Sequence, residues 1–144
     1  MRKIRKIIIH CSATPEGKDC TVEEIRRWHT MPVAKGGRGW RDIGYHYVIY
    51  LDGSIHKGRP VAQVGSHCKG HNNDSIGICY IGGLTSDGKT PKDTRTDAQK
   101  QSLKNLVATL RSLYPGTTLH GHNEFNAAKA CPSYSVEKEL KNKK

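Results

Sequence analysis

Between Leu119 and Ser133 the chain reads LHGHNEFNAAKACPS, which gathers His120, His122, Lys129 and Cys131 into one short stretch. Imidazole and thiolate are donors suited to a catalytic zinc ion, which takes three protein ligands and keeps one position open. A lysine beside such a centre can stabilise negative charge developing on a substrate. Far upstream, His10 ends the run Lys6-Ile7-Ile8-Ile9 and offers a further imidazole. Two neutral imidazoles and one thiolate leave a divalent ion with net positive charge, enough to bring the pKa of bound water towards neutrality. One site assembled from both ends of the chain is the expectation.

The spacing of His122 and Cys131 is not specific by itself. His10, His122 and Cys131 can meet at a strand end and a turn, but His120 shares a strand face with His122, and either imidazole can turn inward. The residues alone leave that choice open. Each also has an ordinary role to set beside the chemical one: a solvated cation for Lys129, a buried thiol for Cys131, a strand-capping histidine for His10.

Ligands converge best at strand ends. Lys6 to Ser12 is isoleucine-rich, the composition of a central strand buried on both faces, with His10 at its C-terminal end and Cys11 turned to the opposite side as core. Thr21-Val22-Glu23-Glu24 is a capping-box pattern that opens a helix running to about His29, with Ile25 and Trp28 as its apolar stripe. Met31 to Gly39 reads as a flexible basic loop. Ile43 to Leu51 has strand composition, with Tyr45 and Tyr47 on one face and His46 and Val48 on the other, and Asp52-Gly53 turns it back through Lys57. A polar loop from Val64 to Asp74 carries His67 and His71 and leads into a strand from Ser75 to Ile81. Thr96 or Asp97 caps the longest helix, in which Leu103, Leu106, Val107, Leu110 and Leu113 keep helical spacing until Pro115-Gly116. Thr117 to His122 is a last short strand, and Ser135 to Lys144 a basic helical tail. The pattern is that of an α/β protein.

At 144 residues the chain makes one domain, residues 1–144, with a core large enough to need no disulfides. Five cysteines, an odd number without a CxxC pair, read as reduced thiols. No apolar run approaches the roughly 20 residues of a membrane helix, and the N-terminus lacks the apolar core of about 7–15 residues that a signal peptide needs. The expected location is therefore cytoplasmic as synthesised. The formal charge of +11 draws the protein to polyanions. Its basic residues are dispersed and aromatics are only 6%, with no nucleic-acid-binding motif, so no nucleic acid partner is expected.

Six segments, in order, resemble one family: Ile9-His10-Cys11-Ser12-Ala13-Thr14, Ile25-Arg26-Arg27-Trp28-His29, Asp42-Ile43-Gly44-Tyr45-His46-Tyr47, Val64-Gly65-Ser66-His67, Asn73-Asp74-Ser75-Ile76-Gly77-Ile78 and Lys129-Ala130-Cys131-Pro132-Ser133. Together they are similar to the type 2 N-acetylmuramoyl-L-alanine amidases, in particular their bacteriophage T7 lysozyme-like branch, which is related to peptidoglycan recognition proteins. The similarity runs from about Ile7 to about Tyr134.

The resemblance implies a mixed central β-sheet flanked by helices, in agreement with the elements above. It also implies Zn2+ held by His10, His122 and Cys131, Tyr45 and Lys129 as catalytic residues, and His67 in the substrate cleft. The implied reaction is hydrolysis of the amide between N-acetylmuramic acid and L-alanine in peptidoglycan or a muropeptide, by a monomer acting on the cell wall after release or export. A non-catalytic receptor on the same fold is the rival, and Cys131 favours the enzyme. Two departures bear on cleft shape: a longer Met31 to Gly39 loop, and one extra residue near Asn126-Ala127.

Overall fold

The computed structural model describes residues 2–142. In chain order it contains β1 (Lys6–Cys11), β2 (Thr14–Pro15), α1 (Val22–Thr30), β3 (Tyr47–Ile49), β4 (Ile55–Lys57), β5 (Ser75–Tyr80), β6 (Gly83–Leu84), α2 (Asp97–Leu113), β7 (Thr118–Gly121) and α3 (Val136–Asn142). Short 3-10 turns lie at Val33–Lys35 and His122–Glu124. The main sheet has the order β4-β3-β5-β1-β7. β1 pairs in parallel with β5 and β7, β3 in parallel with β5, and β4 antiparallel with β3. This is the mixed α/β sheet expected, with β1 second from one edge. β2 and β6 form a separate parallel pair.

Parallel neighbours need crossovers: α1 lies in the connection from β1 to β5 and α2 in that leading to β7, on opposite faces of the sheet, whereas β3 reaches β5 through β4 and the loop after it. Ile7, Ile9 and Cys11 of β1 pack with Ile76, Ile78 and Tyr80 of β5 against Leu103, Leu106 and Leu110 of α2 and Val136 of α3. The other face holds Val22 and Ile25 of α1 with Ile43, Val48 and Ile81. Thr96 is the cap of α2: it accepts from Gln99 N–H at 3.0 Å, while the Gln99 side chain accepts from Thr96 N–H at 2.9 Å. Gln99 also donates to the carbonyls of Ile49 and Ile81, which fixes the helix to the ends of the sheet.

Three expectations change. The strand read over Ile43 to Leu51 shrinks to β3, and Tyr45 packs beside the α1-side core whereas Tyr47 packs on the α2 side. The reason is local. The successive carbonyls of His46 and Tyr45 accept from Gly58 and Arg59, both at 2.9 Å, whereas a regular antiparallel ladder engages alternate residues. The Met31 to Gly39 loop is folded back on the end of α1, with Gly39 N–H donating to Met31 O at 2.8 Å and Trp40 N–H to His29 O at 2.9 Å. The expected tail helix is α3, and residues 143–144 lie outside those described. Among the described residues no helix is long and apolar enough to cross a membrane.

Tyr80 links the sheet to the segment carrying Cys131: fully buried on β5, it donates its hydroxyl to Pro132 O at 2.6 Å. Arg95 holds the following residues, lying 3.5 Å from the Tyr134 ring centroid and pairing with Asp93 and Glu139. Tyr80→Phe keeps the ring and removes one buried bond. It should lower unfolding free energy by about 1–2 kcal/mol in urea titration, and an unchanged midpoint would show that this bond does not hold the segment.

Candidate metal centre and active site

Sheet register builds the site. The β1–β7 ladder ends with Ile9 opposite Gly121, so His10 and His122 follow level with each other as β7 breaks into its 3-10 turn. Their ring centroids are 4.6 Å apart. Cys131 returns on the far side of that turn, where Asn123 N–H donates to its carbonyl at 2.9 Å. Its Sγ accepts from Cys11 N–H at 3.2 Å and lies 3.7 Å from His10 Nδ1. The ligand atoms of His10, His122 and Cys131 all lie within 4.8 Å of one another.

These residues fit zinc. With zinc–nitrogen and zinc–sulfur bonds of about 2.0 and 2.3 Å, tetrahedral geometry places the two donors roughly 3.6 Å apart. The observed Sγ to Nδ1 separation is 3.7 Å. Burial, then the neighbouring His67 and His122, holds the His10 pKa well below 6.5. Burial, then the Lys129 charge, lowers that of His122. Both imidazoles are thus neutral and have a lone pair to give. Its side-chain hydrogen bond with the Cys11 thiol, then burial, pushes the Cys131 thiol upward, against the smaller lowering effect of the Cys11 N–H. Coordination to a cation reverses that, since a ligating thiol is deprotonated outright.

His120 is turned to local partners, with Nε2 2.6 Å from Thr118 Oγ1 and Nδ1 3.0 Å from Glu124 Oε1. The cluster forms around His122 instead. Tyr45 stands beside it, its ring centroid 5.2 Å from that of His10. Burial, then the thiols of Cys79, Cys131 and Cys11, holds the Tyr45 phenol well above its ordinary value of 10.0, so it stays protonated. Lys129 is exposed at the rim, near enough for its charge to act on His122. Turns occupy the segment through Lys129 and Cys131, with Lys129 N–H donating to Asn126 O at 3.0 Å and Ser133 N–H to Ala130 O at 2.7 Å, so strand alternation does not govern where these side chains point.

His67 is not at a surface. It is 8% exposed, with Nδ1 2.9 Å from His10 Nε2 and Nε2 3.1 Å from Ser75 Oγ. Two histidines without a role in the sequence reading frame the site. His29 Nδ1 accepts from Gly44 N–H at 2.9 Å, fixing the backbone before Tyr45, and His46 Nδ1 accepts from Gly77 N–H at 3.0 Å. Gly77 inside a buried strand was the available signal, because an interior strand glycine marks a close approach.

Comparison with known proteins follows this geometry. The family model described as N-acetylmuramoyl-L-alanine amidase matches residues 1–134. The chain belongs to this amidase family. It is 44% identical over 132 residues to an endolysin of Escherichia phage T7, covering 92% of this chain and 82% of that protein. Among solved structures, the N-acetylmuramoyl-L-alanine amidase LysC from Clostridium intestinale aligns with TM-score 0.77 and 30% identity, over 99% of this chain and 85% of that one. Drosophila PGRP-LB aligns with TM-score 0.77 and 27% identity, over 97% and 81%. The family fold is thus the one described, with the amidase's His10, His122 and Cys131 gathered at the C-terminal ends of β1 and β7.

Burial of neutral imidazoles makes the stability of this amidase pH-dependent. Burial is the main cause that lowers His29 and His46 from 6.5 to about 4. Between those values the unfolded chain binds more protons than the folded one. Stability is therefore whole above about pH 6.5 and lost as pH falls towards 4. With chelator present throughout, denaturant unfolding at pH 5 should give on the order of 4 kcal/mol less stability than at pH 7.5, about half from each histidine. Equal values would contradict the burial of uncharged histidines.

Proposed function

We propose that this N-acetylmuramoyl-L-alanine amidase is a zinc hydrolase, with His10, His122 and Cys131 as ligands and Tyr45 and Lys129 as catalytic residues. The bond cleaved is the amide between the lactyl group of N-acetylmuramic acid and L-alanine in peptidoglycan. The observation that carries the reading is the convergence of three donors within 4.8 Å of one another in a chain of this family. Similarity to phage endolysins supports a lytic role, by a monomer that reaches the cell wall after release or export. A mutant of one neighbour, Drosophila PGRP-LB, is known in complex with tracheal cytotoxin, and a muropeptide is the substrate class proposed for this chain.

Bound zinc supplies a Lewis acid for the scissile carbonyl and lowers the pKa of water. The chain's own residues do the rest. His10 and His122, kept neutral by burial, leave their lone pairs free instead of holding protons. The Lys129 ammonium at the rim stabilises the oxyanion of the tetrahedral species. Tyr45 keeps its proton and acts through the hydrogen bond of its hydroxyl, orienting the attacking water and the amide rather than serving as a phenolate base.

Mass spectrometry of products from a defined muropeptide tests this. Stem peptide should be released with zinc present, lost with chelator and regained on adding zinc; undiminished cleavage by metal-free protein would overturn the mechanism. Cys131→Ala should remain folded but lose most zinc and activity, since a core of this size does not depend on one metal. Lys129→Ala should keep its zinc and lose about 10²–10³ in kcat. Unchanged turnover would remove Lys129 from catalysis.

A further inference from the structure

A ligating imidazole must present a lone pair on one nitrogen and carry its proton on the other, and the partner of that second nitrogen fixes both tautomer and ring orientation. His10 directs Nδ1 towards Cys131 Sγ at 3.7 Å and Nε2 towards His67 Nδ1 at 2.9 Å. If Nδ1 is the metal-facing atom, the proton sits on Nε2 and His10 is the donor to His67. His67 Nδ1 then accepts, its own proton is on Nε2, and that nitrogen donates to Ser75 Oγ at 3.1 Å. His10, His67 and Ser75 are 1%, 8% and 0% exposed, so solvent is poorly placed to replace any member.

We propose that His67 is a positioning residue for the metal ligand His10, anchored in turn by Ser75. The inference rests on the zinc reading above and gives His67 a place behind the ligand rather than against substrate. The surroundings specify this ring closely. Its backbone N–H donates to Asn72 Oδ1 at 3.0 Å, and the ring stands edge-on to His10 at a centroid distance of 4.9 Å. Residue 77 must be glycine for the ring to lie there, because a Cβ would come within 2.6 to 2.8 Å of His67 Cγ, Cδ2 and Nδ1. Both ring nitrogens are engaged inside the protein, which leaves no polar atom of the ring for a muropeptide.

Zinc affinity, measured by competition with a chromogenic chelator, tests the role independently of turnover. His67→Ala should weaken zinc binding by about 10–100-fold and alter the visible spectrum of the cobalt-substituted protein. His67→Asn, whose Oδ1 can accept from His10 Nε2–H, should recover most of the affinity, and Ser75→Ala should fall between the two. Wild-type affinity in His67→Ala overturns the proposal, as does His67→Asn binding as weakly as His67→Ala. Should His67→Ala not fold, wild-type affinity and cobalt spectrum in Ser75→Ala together with an Asn variant weakened 10-fold or more overturn it equally. Wild-type protein that binds no zinc at this site strikes the metal reading itself, and this inference with it.

Discussion

The site depends on the parallel register of β1 against β7. Because Ile9 faces Gly121, the next residue along each segment is a histidine at the same height, His10 still paired with Cys79 in the sheet and His122 just past the end of β7. A shift of that pairing by one residue would separate the two imidazoles and turn one to the opposite face. The third donor is brought in by contacts that do not belong to the sheet: Cys11 N–H to Cys131 Sγ, Tyr80 to the Pro132 carbonyl, and Ser133 to the Gly83 carbonyl at 2.9 Å. A rigid pair and a tethered loop thus make one constellation.

Burial sets the electrostatics around it. His10, His29, His46 and His67 all lie at or below 9% exposure, and each is held in its neutral form chiefly by desolvation. A chain with formal charge +11 thus keeps these four imidazoles uncharged inside, while the buried Arg95 cation is paired with Asp93 and Glu139. Lys129 stands at the border, exposed but acting on His122. An anionic wall polymer would meet the basic exterior first, and the neutral donors only at the cluster itself.

Much of this was legible in the residues. The isoleucine run of β1, the Thr96 cap, the Asp52-Gly53 turn and the leucine stripe of α2 as far as Leu110 each follow a local rule and lie where expected, whereas Leu113, at the end of the helix, is 66% exposed. The choice between His120 and His122 was not legible, because it turns on where β7 breaks and on Thr118 and Glu124 engaging His120. Nor was the side taken by Tyr45, which depends on two successive carbonyls bonding to the returning arm. His29 and His46 were passed over because their partners are backbone amides of distant segments, Gly44 and Gly77. Local patterns carry the elements; long-range hydrogen bonds assign the histidines.

The most direct test of the central claim is X-ray absorption at the zinc edge of the purified, metal-loaded protein. Our account predicts one sulfur at about 2.3 Å and two imidazole nitrogens at about 2.0–2.1 Å, with a light-atom ligand completing the shell. A zinc spectrum with no sulfur scatterer, or with a single imidazole, would contradict it.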